Sequence, residues 1–104
     1  MIRIIYTRRA EEELRSIWRY IAEDNDNEPA ADRILLAIGA KIELLRNHPR
    51  LGPRRSDIAD SARLLIESHF LILYETHPDT DEGPVEAVEI VSIVDGRRDL
   101  TELF

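Results

Sequence analysis

Residues 62–75 read ARLLIESHFLILYE, two short apolar runs joined by Ser68 and His69. From Ala62 the chain has a two-residue period, which places Arg63, Leu65 and Glu67 on one face of a strand and Leu64 and Ile66 on the other. The polar pair between the runs leaves room only for a tight turn, so the segment predicts an antiparallel hairpin. The second half of the chain is therefore expected to be a sheet.

Two further segments have the composition of strands. Residues 85–94 are predicted to form a long strand that ends at Asp95-Gly96, and the loop before it is short enough to continue an antiparallel meander. Residues 2–6 are apolar and β-branched apart from Arg3, which predicts a short buried strand. We expect this first strand to lie beside the last one, because the helices can then cover one face of the sheet.

The segment between the first strand and the hairpin has a helical period. Thr7 is predicted to cap the first helix, because its hydroxyl can accept a hydrogen bond from an unpaired backbone N–H. The turn formers of residues 24–27 end that helix, Pro29 suits the first turn of a second helix, and Pro49 follows its end. The apolar stripes are Leu14, Ile17, Trp18 and Ile21 in the first helix, and Ile34, Leu35, Ile38, Ile42 and Leu45 in the second.

These elements predict one α+β domain that spans residues 1–104. The order is β-α-α-β-β-β, with a helical hairpin packed on a small, mainly antiparallel sheet. Residues 97–104 are predicted to form a short C-terminal helical tail.

Composition narrows the function classes. The chain has 104 residues, of which 14 are basic and 21 acidic, so its net charge is −7. A field of this sign disfavours generic binding to nucleic acid or to anionic membranes. There is no cysteine, no signal peptide, and no apolar stretch near the ~20 residues that span a bilayer. These features predict a cytoplasmic protein without a membrane partner.

The charge is unevenly distributed along the chain. Between residues 46 and 63 there are five arginines against two acidic residues. Between residues 67 and 89 there are seven acidic residues and no lysine or arginine. Solvated charge would explain both segments, but the contrast also predicts a basic face and an acidic face for two different partners.

No motif indicates a cofactor or a metal. His48, His69 and His77 have no metal-binding spacing, and we expect all three on the surface or in turns. The glycines stand too far apart for a phosphate-binding loop. The sequence therefore predicts no metal site and no cofactor.

Several segments together resemble the ParE branch of the RelE/ParE toxin superfamily. They are residues 17–23 with Asn25, residues 45–52, residues 62–65, Tyr74, and residues 96–100 before Leu103-Phe104. The resemblance implies a toxin of a bacterial type II toxin–antitoxin module. Such toxins poison DNA gyrase and are neutralised by a ParD-type antitoxin in a hetero-oligomer. The antitoxin wraps the toxin with a C-terminal helical segment and binds operator DNA through an N-terminal ribbon-helix-helix half, so the toxin reaches DNA only indirectly.

The superfamily also contains ribosome-dependent ribonucleases. Cleavage of RNA through the 2′-hydroxyl requires a general acid, a general base and cations that stabilise the transition state. The predicted sheet offers no cation between Glu67 and Glu89, and the chain ends Leu103-Phe104 without a hydroxyl or imidazole. We therefore expect an inhibitor without catalytic residues. The alternatives are a RelE-like mRNA interferase and a non-toxic module of the same fold that only binds antitoxin.

Two sets of residues are candidates for contacts. The predicted target-binding residues are Arg63, Arg97, Arg54 and Arg55. The predicted antitoxin-binding residues are Trp18, Leu64, Phe70 and Tyr74. Trp18 has two interpretations, a core residue between the helices and the sheet or the rim of a groove for a partner's anchors. Arg98 is expected to be structural, and the alternative to a contact role for the pair 97–98 is that one arginine forms an ion pair with Asp95, Asp99 or Glu102.

Overall fold

In the computed structural model, which describes residues 1–97, two helices lie against a four-stranded sheet. The elements are β1 (Arg3–Tyr6), α1 (Arg8–Arg19), α2 (Glu28–Glu43), β2 (Arg63–Glu67), β3 (Phe70–His77) and β4 (Ala87–Asp95). A π-helical turn, Tyr20–Asp24, follows α1, and a 3-10 turn, Leu44–Arg46, follows α2. The predicted order is confirmed. The predicted tail lies outside the described residues, except for Arg97.

The sheet has the strand order β1-β4-β3-β2. The pairs β2–β3 and β3–β4 are antiparallel, and β1 runs parallel to β4. A parallel pair needs a long crossover connection, which α1, α2 and the following hairpin provide. The prediction that the first strand lies beside the last one is confirmed.

Side-chain oxygens satisfy the free backbone N–H groups at both helix starts. Thr7 Oγ1 accepts a hydrogen bond from Ala10 N at 3.0 Å, which confirms the predicted cap. The same hydroxyl donates to Val91 O at 2.8 Å and so ties the start of α1 to β4. Asn27 Oδ1 accepts from Ala30 N at 3.1 Å at the start of α2.

One face of each helix is buried in the core. The buried positions of the predicted stripes are Ile17, Ile38, Ile42 and Leu45. They pack against buried side chains of the central strands, among them Ile72 and Ile90. Leu14, Ile21, Ile34 and Leu35 are only partly buried, at the margin of this cluster.

A carboxylate adds a polar link between α1 and β4. Glu13 Oε1 accepts hydrogen bonds from Ser92 Oγ at 2.9 Å and from Ile93 N at 3.0 Å. This contact depends on how α1 lies on the sheet, so the sequence of the helix alone does not reveal it.

Within residues 1–97, neither helix combines the length and the apolar character that crossing a membrane requires.

Candidate functional site

An apolar groove lies between α1 and α2. Its volume is about 380 Å³, and it is lined by Leu14, Arg15, Trp18, Arg19, Glu23 and Leu35. Trp18 is half-buried, and its indole Nε1 donates to Asp32 Oδ1 at 2.9 Å. The interpretation of Trp18 as a core residue is therefore wrong, and it lies on the rim of a groove.

A second apolar groove lies where α2 meets the turn between β2 and β3. It has a volume of about 220 Å³ and is lined by Arg33, Ile34, Ala37, Glu67, Ser68 and Phe70. The neighbouring β2 is an edge strand of the sheet, and its Ile66 side chain is 52% exposed. Residues 53–55 pair with the start of β2, and beyond Leu64 the strand edge beside the apolar groove can receive an added strand or a helix.

Three of the four predicted antitoxin-binding residues belong to the core. Leu64, Phe70 and Tyr74 are at most 7% exposed. Phe70 and Tyr74 occupy buried positions of β3, where buried and partly exposed residues alternate, and Leu64 lies within a run of three buried residues, 63–65, in β2. The expectation that they form a contact surface is corrected, because in this conformation they offer almost no area to a partner.

The arginine-rich loop, residues 50–55, and the acidic loop, residues 79–82, lie against each other. Arg54 forms ion pairs with Asp79 Oδ1 and Asp81 Oδ1, both at 2.9 Å. Arg50 Nε donates to Thr80 O at 2.8 Å in the same loop. The hydrogen bond from Arg54 holds the pKa of Asp81 below its usual range. The predicted separation into a basic face and an acidic face is wrong here, because these charges neutralise each other.

Two more of the predicted target-binding arginines are also engaged. Arg63 is 5% exposed; its Nη1 donates to Gly52 O at 2.9 Å and its Nη2 to Asp81 at 3.3 Å. Within the described residues its buried Nε has no hydrogen-bond partner. Arg55 pairs with Asp57 at 2.7 Å. A buried and bonded guanidinium is not available to a phosphate or to a protein target, so the expectation for Arg63 is corrected.

Arg97 has the most exposed side chain of the four predicted target-binding residues, at 71%. Its Nη2 donates to His69 Nε2 at 2.9 Å, and its backbone N donates to Asp95 Oδ1 at 2.9 Å. Since Nε2 accepts this bond, the proton of a neutral His69 lies on Nδ1, 3.3 Å from Ser68 Oγ. His69, Asp95 and Arg97 line a cavity of about 100 Å³ with Ile17, Tyr20 and Phe70.

Sequence reasoning missed this pairing of an imidazole with a cation. His69 and Arg97 are far apart in the chain, but β3 pairs with β4 so that Phe70 lies opposite Asp95. The sequence did contain a signal for this contact. His69 comes just before β3 and Arg97 comes just after β4, and in an antiparallel pair the start of one strand lies beside the end of the other.

A comparison with protein families matches residues 4–100 to the ParE toxin of the type II toxin–antitoxin system parDE. The chain belongs to the ParE toxin family. Its fold is similar to that of a solved chain described as "Chromosomal ParDE TA system from P. aeruginosa", with a TM-score of 0.68 and 19% sequence identity. The match covers 91% of this chain and 96% of that chain. A comparison with curated proteins finds no match.

In this ParE-family toxin, segments on which the resemblance rests meet at one buried point. The Gly52 N–H donates to Tyr74 Oη at 2.8 Å, and the Tyr74 hydroxyl donates to Pro49 O at 3.0 Å. A Cβ on Gly52 would lie 2.5 Å from Leu64 O, so only glycine fits. Burial raises the pKa of Tyr74. Tyr74 therefore holds the loop before β2 in place and is not placed as a proton donor to a substrate.

Proposed function

We propose that this ParE-family toxin inhibits DNA gyrase in the cytoplasm by protein–protein contact, without a catalytic step. The absence of a catalytic step is supported by the burial of two side chains. The Arg63 guanidinium on β2 and the Tyr74 hydroxyl on β3 are groups of the kind that could assist RNA cleavage, and both are buried and bonded to backbone groups of residues 49–52. Cleavage needs such groups within reach of the reacting phosphate.

We further propose that a ParD-like ribbon-helix-helix antitoxin neutralises the toxin. Its C-terminal segment would place apolar anchors in the groove that Trp18 and Leu35 line, and continue toward the groove beside Ile66. A segment that is disordered alone can wrap both sites and fold as it binds. Operator DNA would be contacted only through the antitoxin, because the toxin's net charge of −7 repels it.

The groove is tested by placing a charge in it. Leu35→Glu would bury a carboxylate against the antitoxin's apolar anchors, so we expect the variant to stay toxic but to escape neutralisation. Leu44→Glu is the matched control, since Leu44 is 46% exposed at the end of α2 and lines neither groove. Co-expression with the neighbouring antitoxin gene and co-purification measure the effect. Equal antitoxin binding by both variants would reject the groove as the docking site.

For the target surface we propose Arg97, whose side chain is the most exposed among the predicted residues. Arg97→Glu should abolish inhibition of gyrase supercoiling while the melting temperature stays near that of the unchanged toxin. Arg8→Glu is the matched control, because Arg8 is 91% exposed at the start of α1. A well-folded Arg97→Glu variant with full toxicity would remove Arg97 from the target surface.

Expression without antitoxin separates the gyrase proposal from its alternatives. Filamentous cells with an induced DNA-damage response support gyrase inhibition. Translation arrest would support a RelE-like mRNA interferase, and healthy growth a non-toxic antitoxin-binding module. Inhibition of supercoiling by purified toxin then tests the target directly.

The second candidate, ribosome-dependent RNA cleavage, is favoured by the pair of His69 with Arg97. An imidazole beside an exposed guanidinium and a small cavity is the kind of group that can exchange a proton near a phosphate. His69→Gln should leave gyrase inhibition unchanged if the first proposal is right. Ribosome-dependent mRNA cleavage that is lost in His69→Gln would establish the second candidate instead.

A further inference from the structure

Three side chains of types that can bind metal ions lie close together on the central pair of strands. Glu75 and His77 lie two residues apart on β3, so both project from the same face of the sheet. The strand register places Glu89 of β4 opposite Glu75. One ligand atom from each residue lies within 4.8 Å of the others, and His77 Nε2 is 3.0 Å from Glu89 Oε1.

The charges of this cluster are not balanced by the protein. Like charges directly opposite each other on neighbouring strands are destabilising. Within residues 1–97, neither Glu75 nor Glu89 forms an ion pair with an arginine or lysine; Glu89 contacts the imidazole of His77, and Glu75 accepts a hydrogen bond from Ser61. Arg3 of β1 is in register with Ala87 on the same face, one strand beyond. A bound cation would remove the repulsion between the two carboxylates.

We propose that Glu75, His77 and Glu89 bind a divalent transition-metal ion, with Zn²⁺ as the best-suited chemistry. One imidazole nitrogen and two carboxylate oxygens are a three-ligand set to which water adds a fourth position. Tetrahedral Zn²⁺ with bonds near 2.0–2.1 Å needs ligand atoms roughly 3.4 Å apart. The His77–Glu89 pair is already near this separation, and rotation of the partly exposed Glu75 side chain brings its oxygen to the ion. The imidazole favours Zn²⁺, Cu²⁺ or Ni²⁺ over Mg²⁺.

A neighbouring hydroxyl orients one of the ligands. Ser61 Oγ donates to Glu75 Oε2 at 2.9 Å, which leaves the other carboxylate oxygen for the metal. Hydrogen bonds of this kind fix the direction of a ligand and contribute to affinity. Ser61 is therefore a positioning residue for the site.

The metal site is separate from the surfaces proposed for the antitoxin and the target. Thr76 and Val88, the neighbours of the ligands along each strand, are buried on the side of the helices. The ligands themselves point away from the α1–α2 groove and lie at the opposite end of β3 from the turn that contains His69. A bound ion would tie β3 to β4 and stabilise the folded toxin.

The test is calorimetric titration of tag-free toxin with ZnCl₂ and, separately, with MgCl₂. We expect saturable Zn²⁺ binding at one ion per chain, a higher melting temperature with Zn²⁺, and much weaker binding of Mg²⁺. Exchanging a ligand, in His77→Gln or Glu89→Gln, should abolish saturable binding. Ser61→Ala should weaken binding by about tenfold.

His48→Gln is the matched control, because His48 is an exposed imidazole at the end of α2. It should bind Zn²⁺ as the unchanged toxin does. Circular dichroism confirms that each variant folds. Saturable binding that survives in His77→Gln, binding that is lost in His48→Gln, or no saturation at millimolar Zn²⁺ would each overturn the proposal.

Discussion

Gly52 lies where the loop before β2 passes directly over that strand, and its replacement by alanine perturbs both. The new Cβ would lie 2.5 Å from Leu64 O and 2.8 Å from Tyr74 Cε1. Neither atom is the end of a flexible side chain: one belongs to the backbone of a paired strand and the other to a fully buried ring. The loop must therefore move away, and the hydrogen bond from Gly52 N to Tyr74 Oη is lost with it.

The expected cost follows from these two effects. Overpacking of a well-packed site costs about 1–3 kcal/mol, and a lost hydrogen bond adds about 1 kcal/mol. We expect Gly52→Ala to lower the free energy of unfolding by about 2–4 kcal/mol. For a domain of this size, that corresponds to a melting temperature about 10–25 °C lower.

Gly39→Ala is the matched control for the same chemical change. Gly39 lies inside α2, and a Cβ there meets no atom within 4 Å. Alanine is the better helix former, so this variant should be about 0.5–1 kcal/mol more stable than the unchanged toxin. Urea unfolding followed by circular dichroism and by Trp18 fluorescence measures both variants. A Gly52→Ala protein within about 0.5 kcal/mol of the unchanged toxin would refute the packing described for this loop.

Further predictions concern single polar contacts. Tyr74→Phe should lower the free energy of unfolding by about 1–3 kcal/mol, because the buried Gly52 N–H loses its acceptor. The Tyr6 hydroxyl makes no hydrogen bond among residues 1–97, so Tyr6→Phe should have a smaller effect in the same urea assay. Glu13→Ala should cost about 1–3 kcal/mol, since a β4 backbone N–H loses its partner; a thermal melt unchanged from that of the starting protein would contradict this. Arg54 lowers the pKa of Asp81, so the stability from this pair is present above pH ~4 and lost as the pH falls further. Urea midpoints measured from pH 6 to pH 2 should therefore fall less steeply in Asp81→Asn.

Much of the fold could be predicted because its signals are local. The period of two in residues 70–75, and the stripes that contain Ile17 and Ile38, record which side of each element faces the core. Thr7 caps α1 through an atom three residues away. Even the placement of β1 beside β4 followed from the rule that helices must cover the sheet.

The candidate site was predicted less well, because residue type does not specify burial. Arg63 and Tyr74 have side chains that could serve a binding surface, but they lie on the core side of their strands. Trp18 fits the stripe of α1 by its spacing. The stripe is wider than the surface that the sheet covers, so Trp18 lies at its margin, in a groove between the helices.

By itself, the sequence determined the elements of this toxin, their order, the cap of α1 and the family resemblance, since each rests on neighbours in the chain or on motif spacing. Only the tertiary structure decided which distant charges meet. It brought Arg54 to Asp81, His69 to Arg97, and Glu89 to Glu75 and His77. Each contact depends on strand register or loop packing, and these are set by burial of the whole core. The order of charges along the chain does not specify these contacts. For this reason the sequence predicted two opposed faces, whereas in the structure the basic and acidic loops pair with each other.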